Sequence, residues 1–268
     1  MRRQLRIARG DITRWPGVDA IVTSANAGLV GNKTPSYWRF RVPRARSGHT
    51  RSDVGFEGLN GMAFDNCDGS VHDASGPELQ AALDAQPRHT RLRQTLSASE
   101  PWRGSLLPSS SDGLVACLVG RSIVTPAFGA LREQGVKFVV HAVAPDGRDP
   151  IESHGRPADA TPLLRSAFAS ALAAAAAAGA RSLAVPAIGC GVNNWTPPTA
   201  ARAALAALDD AWKRDDAAVP RVDFVLRSDD TLEAWRQRAC ELFGPPQREG
   251  DGDGDEWEWD SRLPSSQT

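Results

Sequence analysis

Short apolar runs alternate with longer amphipathic segments along most of the chain. Six runs have the length and composition of strands, and they lie near Leu5, at 18–25, near Val124, at 137–144, at 182–188 and at 222–228. Four segments carry apolar residues at helical spacing, and they span 71–85, 162–178, 197–214 and 231–243. Apolar strands that alternate with helices are typical of a sheet covered on both faces. The pattern therefore predicts an α/β fold built on a mainly parallel sheet.

Two segments and the end of the chain interrupt this alternation. Residues 32–66 and 86–113 are rich in Arg, Ser, Gly and Pro and show no sustained period, as is typical of long functional or disordered insertions. The stretch DGDGDEWEWD carries six carboxylates, so we expect residues 244–268 to form a disordered acidic tail. We interpret the chain as one domain over 1–243 with two long insertions, followed by that tail.

Composition restricts the possible classes of function. The formal net charge of -1 predicts no attraction of the whole molecule to nucleic acid or to a membrane surface. The four cysteines are widely spaced and form no CxxC pair, which argues against a zinc site or a disulfide framework and favours a reducing compartment. The longest apolar stretch, at 171–180, is shorter than the roughly 20 residues that span a bilayer. We expect a soluble protein of the cytoplasm or nucleus, with no metal and no cofactor.

The stretch PAIGCGVNNWTPP, residues 186–198, is the first candidate for chemistry. It joins an apolar run to a predicted helix, so its backbone amides and the positive end of that helix suit an anion beyond the strand. Gly189 and Gly191 allow the backbone to approach a diphosphate closely. Cys190 between them is an alternative candidate as a nucleophile, although neither a Gly-x-Cys-x-Gly elbow nor a histidine partner motif accompanies it. A plain turn that binds no ligand is the third interpretation.

Three polar residues next to predicted elements are further candidates. Asp11 follows the first strand and suits an exocyclic amine, while Asn26 ends the second strand with donors and acceptors for sugar hydroxyls. Asp68 precedes the first predicted helix, where a carboxylate can orient or deprotonate a water. Each residue also has an ordinary interpretation, Asp11 and Asn26 as turn residues and Asp68 as an N-cap contributing roughly 1 kcal/mol. His72 and His141 lie among apolar residues and are interpreted as structural.

Seven segments occur in the order and strand contexts of one known family. They are GDIT, VDAIVTSAN, DGSVHDASGPEL, CLVGRSIVTPAF, FVVHAVAP, SLAVPAIGCGV and VDFVLRSDD. Together they resemble the macrodomain family over about residues 5–243, outside the two insertions. The resemblance implies a single three-layer α/β/α domain that binds ADP-ribose. In the hydrolytic branch, which this chain resembles, members remove ADP-ribose or acyl groups attached at the distal ribose.

The resemblance also implies roles for individual residues. Asp11 would bind the adenine amine, and the Ile12 backbone would help to frame the base. Asn26 is the last residue of the segment TSAN, which occupies the position of the NAAN motif usual in the family. It would hold the distal ribose. Asp68 matches the aspartate of a Val-Asp-Gly-x-Ile-His pattern, which positions water or polarises the ribose, so Asn26 and Asp68 are the expected catalytic residues. A second phosphate-binding loop would bind the diphosphate through the backbone amides of Gly189, Cys190, Gly191, Val192 and Asn193.

The chain departs from the family pattern at three places. The glycine run expected after NAGLVG is replaced by NKTPSYWRFRVPRARSGHTR, which rebuilds the loop before Asp68. Asn193 and Asn194 stand where an aromatic residue and a glycine are often found, which leaves the distal ribose less covered. Arg227 replaces an aromatic that packs on adenine, and its guanidinium could stack on the base instead.

The first insertion and the tail have interpretations of their own. Residues 33–51 hold six Lys or Arg, no acid and three aromatic residues, so they could close over an anionic ligand or touch nucleic acid, or simply be a solvated loop. Trp257 and Trp259 could form a motif for a protein partner, or the tail could be a passive solvated segment or fold back on the basic loop.

Three functions are compatible with the sequence of the whole chain. The first is an ADP-ribose hydrolase acting on ADP-ribosylated protein or O-acetyl-ADP-ribose. The second is a non-catalytic ADP-ribose reader, and the third is a thiol hydrolase that uses Cys190.

Overall fold

The structure is a computed structural model that describes residues 4–26, 28–29, 67–87, 89–90, 114–145, 147, 160–191, 193–215, 219–249 and 256–260. The first insertion, including the basic aromatic stretch 33–51, lies outside these residues, and so do residues 91–113 of the second.

The described residues form ten strands and six α-helices. The strands are β1 (Gln4–Arg9), β2 (Ala20–Ala25), β3 (His89–Thr90), β4 (Leu114–Val115), β5 (Ser122–Pro126), β6 (Phe138–Val143), β7 (Ser182–Val185), β8 (Arg221–Leu226), β9 (Arg248–Glu249) and β10 (Glu256–Asp260). The helices are α1 (Cys67–Ser75), α2 (Pro77–Asp84), α3 (Gly129–Glu133), α4 (Thr161–Ala177), α5 (Pro197–Asp215) and α6 (Asp229–Phe243). A short 3-10 helix, Ile12–Arg14, follows β1.

Eight strands form one mixed sheet in the order β5-β6-β2-β7-β8-β1-β10-β9. The five central strands β6, β2, β7, β8 and β1 are parallel, whereas β5, β10 and β9 are added antiparallel at the two sides. Because parallel strands end at the same edge of a sheet, the loops that follow these five strands lie together. This edge is called the carboxyl edge below.

Helices cover both faces of the sheet. Helices α4, α5 and α6 pack on one face around an extensive apolar cluster that includes Leu164, Phe168 and Leu208. Helices α1, α2 and α3 and the 3-10 helix pack on the other face around a smaller cluster that includes Val71 and Leu131. The predicted α/β fold, with a three-layer arrangement and a mainly parallel sheet, is confirmed.

Two expectations about particular segments are wrong. The helix predicted at 71–85 is two helices, because Gly76 adopts a φ of 75° that ends α1 and lets Pro77 start α2. Helix α1 also includes residues 67–70, so Asp68 lies in its first turn and is not a residue that precedes the helix.

The expected disorder of the acidic tail is also wrong for residues 256–260. These residues form β10, which pairs with β1, because Glu and Trp alternate with the period of a strand. Arg6 of β1 forms salt bridges with Glu256 and Glu258, while Trp259 is buried and donates from Nε1 to the Gly244 carbonyl oxygen at 2.9 Å. Trp259 is therefore part of the core rather than an exposed partner motif.

Candidate functional site

The carboxyl edge brings most of the predicted site residues to one side of the molecule. Asp11 lies just after β1, Asn26 directly after β2, and Arg227 directly after β8. The glycine loop, defined here as residues 189–193, follows β7, and α5 begins four residues after it. Loops at this edge of an open α/β sheet, at the start of a helix, are a common place for a ligand with phosphate groups.

The glycine loop is held in a defined shape by its own backbone. Gly189 has a φ of 90°, a conformation that only glycine adopts without strain, and a Cβ there would meet the Trp195 ring at 2.8 Å. Gly191 differs, because a Cβ added there would meet nothing within 4 Å. Within the described residues, the amides of Gly189 and Gly191 have no hydrogen-bond acceptor. These two amides are therefore available to an anion.

Cys190 contributes less to the loop than expected. Its amide donates to the Ala187 carbonyl oxygen at 3.1 Å, so that N–H already has an acceptor inside the protein. The expectation that the Cys190 amide faces a phosphate is contrary to this geometry. Burial raises the pKa of the Cys190 thiol to about 12, which disfavours the thiolate that a nucleophile requires.

Asn193 and Asn194 shape the end of the loop. The Asn193 side chain donates from Nδ2 to the Ala144 carbonyl oxygen at 3.2 Å, so it contacts the segment after β6. Asn194 has a φ of 57°, which asparagine tolerates better than most residues and which explains why it can replace a glycine. Val192 lies outside the described residues, so its expected role stays a prediction.

Asp11 has a local structural role that leaves part of it accessible. One carboxylate oxygen, Oδ1, accepts from the Thr13 amide at 3.0 Å and from the Thr13 hydroxyl at 2.8 Å, which caps the 3-10 helix. The side chain is exposed, and Oδ2 accepts no hydrogen bond from the described part of the chain. Ile12 beside it is buried. Asp11 can therefore be a cap and still accept a hydrogen bond from a ligand.

Asn26 is buried at the end of β2, with 6% of its surface exposed. Its Oδ1 accepts from the Gly28 amide at 3.1 Å, and its carbonyl oxygen accepts from the Leu29 amide at 2.9 Å. These bonds are those of a turn, which was the ordinary interpretation of this residue. They also fix the side chain at the carboxyl edge.

Asp68 is a buried carboxylate that is held from two sides. It is 2% exposed, and its Oδ1 accepts from the Thr23 hydroxyl of β2 at 3.0 Å. Nε2 of His72, one helical turn further along α1, lies 3.9 Å from the same oxygen. A buried charge needs such partners, because the free-energy cost of removing it from water is otherwise not offset. The arrangement fits a carboxylate of fixed orientation better than a helix cap.

A second buried pair lies beside this carboxylate. His141 of β6 is directly opposite Thr23 in the sheet, and its Nε2 lies 3.0 Å from the Thr125 hydroxyl of β5. Burial, and to a smaller degree the nearby His72, lowers the pKa of His141 to about 3. Such a pKa keeps the imidazole neutral, in agreement with the expected structural role of His141.

Sequence reasoning missed three residues of this site. Thr23 was not singled out, although it occupies a position of TSAN whose side chain faces α1. His72 was interpreted only as structural, although its spacing of four residues from Asp68 places both on one helix face. Trp195 was not considered, and its closeness to Gly189 appears only when the loop is folded.

The described ranges lack two other kinds of feature. No cluster of three or more His, Cys, Asp or Glu that could hold a metal ion occurs in this part of the chain. Among the helices described here, none has the length and apolar character needed to cross a membrane.

Comparison with known proteins gives consistent matches. A family model described as Macro domain matches residues 105–204. A macro domain-containing protein of Vibrio parahaemolyticus is 27% identical over 232 residues, which cover 87% of this chain and 95% of that protein. An O-acetyl-ADP-ribose deacetylase of Salmonella gallinarum is 29% identical over 210 residues, covering 78% of this chain and 80% of that protein.

Solved structures of macrodomains have the same fold. A mutant of the Oceanobacillus iheyensis macrodomain with ADPR superposes with a TM-score of 0.58 at 22% identity, covering 90% of this chain and 94% of that one. A Trypanosoma brucei macrodomain in complex with ADP-ribose superposes with a TM-score of 0.53 at 18% identity, covering 88% of this chain and 68% of that one. The motif order, the sheet and these matches agree, and they show that the chain is similar to macrodomains in sequence and in fold.

Proposed function

We propose that this protein binds ADP-ribose at the carboxyl edge and hydrolyses a bond at the distal ribose. The observation that carries the proposal is that the glycine loop, with two available amides, lies at the same edge of the sheet as Asn26. The buried Asp68 carboxylate accepts a hydrogen bond from Thr23 of β2, the strand that Asn26 follows. The glycine loop suits a diphosphate, and the Asp68 carboxylate suits a reacting water. Substrates of this class are ADP-ribosylated protein and O-acetyl-ADP-ribose.

The glycine loop supports the binding half of the proposal. The Gly189 and Gly191 amides would donate to the diphosphate, and the start of α5 adds the positive end of a helix dipole. Asp11 would accept from the adenine amine through Oδ2, and Arg227, exposed after β8, would cover the base. The names of the relatives agree, since two of the compared macrodomain structures contain ADP-ribose and one relative is an O-acetyl-ADP-ribose deacetylase.

Asp68 supports the catalytic half. Its carboxylate would orient a water and accept a proton from it as the water oxygen attacks the carbon that carries the leaving group at the distal ribose. The bond from that carbon to the leaving group breaks, and the leaving group takes up the proton from the Asp68 carboxyl group. Thr23 and His72 would hold the carboxylate in one orientation, which reduces the reorganisation needed in the transition state. Asn26 would orient the ribose through its amide group.

Replacing Asp68 by asparagine tests the catalytic role. Because the acid–base contribution of a positioned side chain is about 10²- to 10⁴-fold, we expect Asp68→Asn to lower kcat by that order while ADP-ribose still binds. Turnover would be measured on mono-ADP-ribosylated protein and on O-acetyl-ADP-ribose, and binding by calorimetry. The matched control is Asp73→Asn, an exposed aspartate on the same helix, which should retain the wild-type rate.

The reader function is the alternative outcome of the same experiment. Tight binding of ADP-ribose with no turnover of either substrate by the wild-type protein would replace the hydrolase by a reader. Equal rates for the wild type and Asp68→Asn would remove the role of this carboxylate.

A further inference from the structure

Trp195, two residues beyond the glycine loop, closes that loop on itself. The Asn194 amide donates to the Gly191 carbonyl oxygen at 2.9 Å, and the Trp195 amide donates to the Gly189 carbonyl oxygen at 3.0 Å. Two carbonyl groups of the loop are thus turned toward its own backbone. The amides of Gly189 and Gly191 are not used in these bonds.

The same residues tie the glycine loop to the segment after β6. Nε1 of Trp195 donates to the Pro145 carbonyl oxygen at 2.8 Å, and the Gly147 amide donates to the Asn193 carbonyl oxygen at 2.8 Å. The bond from Asn193 Nδ2 to the Ala144 carbonyl oxygen is the third link. We call these three hydrogen bonds the clasp. They connect the loops of two strands that are separated in the sheet by β2.

The Trp195 indole also fills the space between these two loops. A Cβ on Gly189 would meet the ring at 2.8 Å, and one on Gly147 would meet it at 3.3 Å. Glycine at both positions therefore lets the backbones approach the ring from two sides. The Trp195 side chain therefore acts on the loop in two ways, through the packing of its ring against Gly189 and through one hydrogen bond of the clasp.

We propose that Trp195 is a positioning residue that holds the glycine loop in its anion-binding shape before a ligand arrives. The proposal rests on the proposed function, because it assumes that the diphosphate binds the Gly189 and Gly191 amides. A loop already ordered in the free protein loses less conformational entropy on binding, which raises affinity without a new contact. Trp195 itself need not touch the ligand.

The test uses Trp195→Phe, which keeps an aromatic ring but removes the Nε1 donor. Because a typical hydrogen bond contributes about a factor of 10 to an equilibrium constant, we expect ADP to bind about tenfold more weakly. Adenosine lacks the diphosphate, so its binding, followed by amide chemical shifts, should not change. Hydrogen exchange of the Asn194, Trp195 and Gly147 amides should become faster in the free variant.

The matched control is Trp259→Phe. It removes the indole hydrogen bond to the Gly244 carbonyl oxygen, which lies in a different part of the core, and it should leave ADP binding unchanged. An equal loss of ADP and adenosine binding in Trp195→Phe would show general damage and overturn the positioning role. Unchanged ADP affinity with unchanged amide exchange would also overturn it.

The experiment also separates this inference from the proposed function. If the wild-type protein binds neither ADP nor ADP-ribose, the proposed function fails and the link to a diphosphate fails with it. Faster amide exchange in Trp195→Phe would then show that the clasp orders the loop for some other purpose.

Discussion

The two faces of the central sheet differ in what they bury. The face under α4, α5 and α6 is packed by aliphatic and aromatic side chains, with a run of alanines that brings α4 and α5 close together. The face under α1, α2 and α3 also has an apolar cluster, but it contains the buried polar residues Thr23, Asp68, His72, Thr125, His141 and Asp223. The first face is referred to as the apolar face and the second as the polar face.

This difference separates stability from chemistry within one domain. Burial of apolar area stabilises a fold in proportion to that area, so the apolar face supplies much of the stability. Buried polar groups contribute less and need hydrogen-bond partners, as Thr23 provides for Asp68 and Thr125 for His141. The polar face therefore bears a cost in stability in order to hold a carboxylate next to the carboxyl edge.

The largest loss of stability is expected from a substitution on the apolar face. Phe168 of α4 is buried among apolar side chains, so Phe168→Ala should lower the free energy of unfolding by about 3–5 kcal/mol. Turnover per folded molecule should stay the same, because Phe168 is buried in the apolar cluster under α4 and is not one of the proposed site residues. Urea unfolding and activity at low temperature would check both. A variant with wild-type stability and lost activity would reverse the division between the faces.

The next effect concerns the tail strand that joins the apolar face. Trp259 is buried whereas Trp257 is half-exposed and stacks on Arg236, with 4.8 Å between the guanidinium carbon and the ring centroid. Trp259→Ala should cost about 3 kcal/mol, and Trp257→Ala about 1 kcal/mol. The two substitutions on one strand are controls for each other in urea unfolding. Equal and small costs would mean that β10 does not belong to the core.

A smaller, pH-dependent effect is expected on the polar face. The pKa of His141 is about 6.5 in the unfolded protein, and burial lowers the pKa to about 3 in the folded protein. Protons therefore favour the unfolded state between these values, and stability should fall by about 2 kcal/mol from pH 7 to pH 5. The double variant Thr125→Val/His141→Leu, which removes both partners of the hydrogen bond, should show less of this dependence in chemical unfolding at each pH.

The smallest effect on activity is expected from replacing Cys190 of the glycine loop. Because the thiol has a pKa of about 12, it is protonated at neutral pH and should not act as a nucleophile. Cys190→Ala should keep turnover within about twofold, since no covalent step passes through the sulfur. Treatment of the wild type with iodoacetamide should leave activity largely intact, with Cys240→Ala as the control cysteine variant. Complete inactivation in Cys190→Ala would restore the thiol-hydrolase hypothesis.

Much of the scaffold could be predicted because it follows local patterns. The strands around Val22, Val140 and Val225 are apolar runs, and helices α4, α5 and α6 lie where the helical spacing placed them. The six carboxylates of the tail predict disorder, but residues 256–260 form β10 because they pair with the distant β1. Pairing between segments this far apart leaves little mark on local composition.

The candidate site was predictable only in part. Asp11, Asn26 and the glycine loop could be placed at strand ends, because turns and glycines punctuate a sequence clearly. The partners of Asp68 could not, since Thr23 is 45 residues away along the chain and meets Asp68 only when α1 packs on β2. The sequence predicts that the Cys190 amide binds a ligand, and only the fold shows that the Ala187 carbonyl oxygen already accepts from it.

The sequence by itself determined the order of the main strands and helices, the family resemblance and the glycine-rich character of the loop after β7. Those properties follow from side-chain periodicity and from the backbone freedom of glycine, both of which are local. Only the tertiary structure decided which partners hold Asp68, that Trp195 ties two loops together, and that Trp259 joins the core. These depend on contacts between segments far apart in the chain, and such contacts form only when the sheet and its helices are assembled.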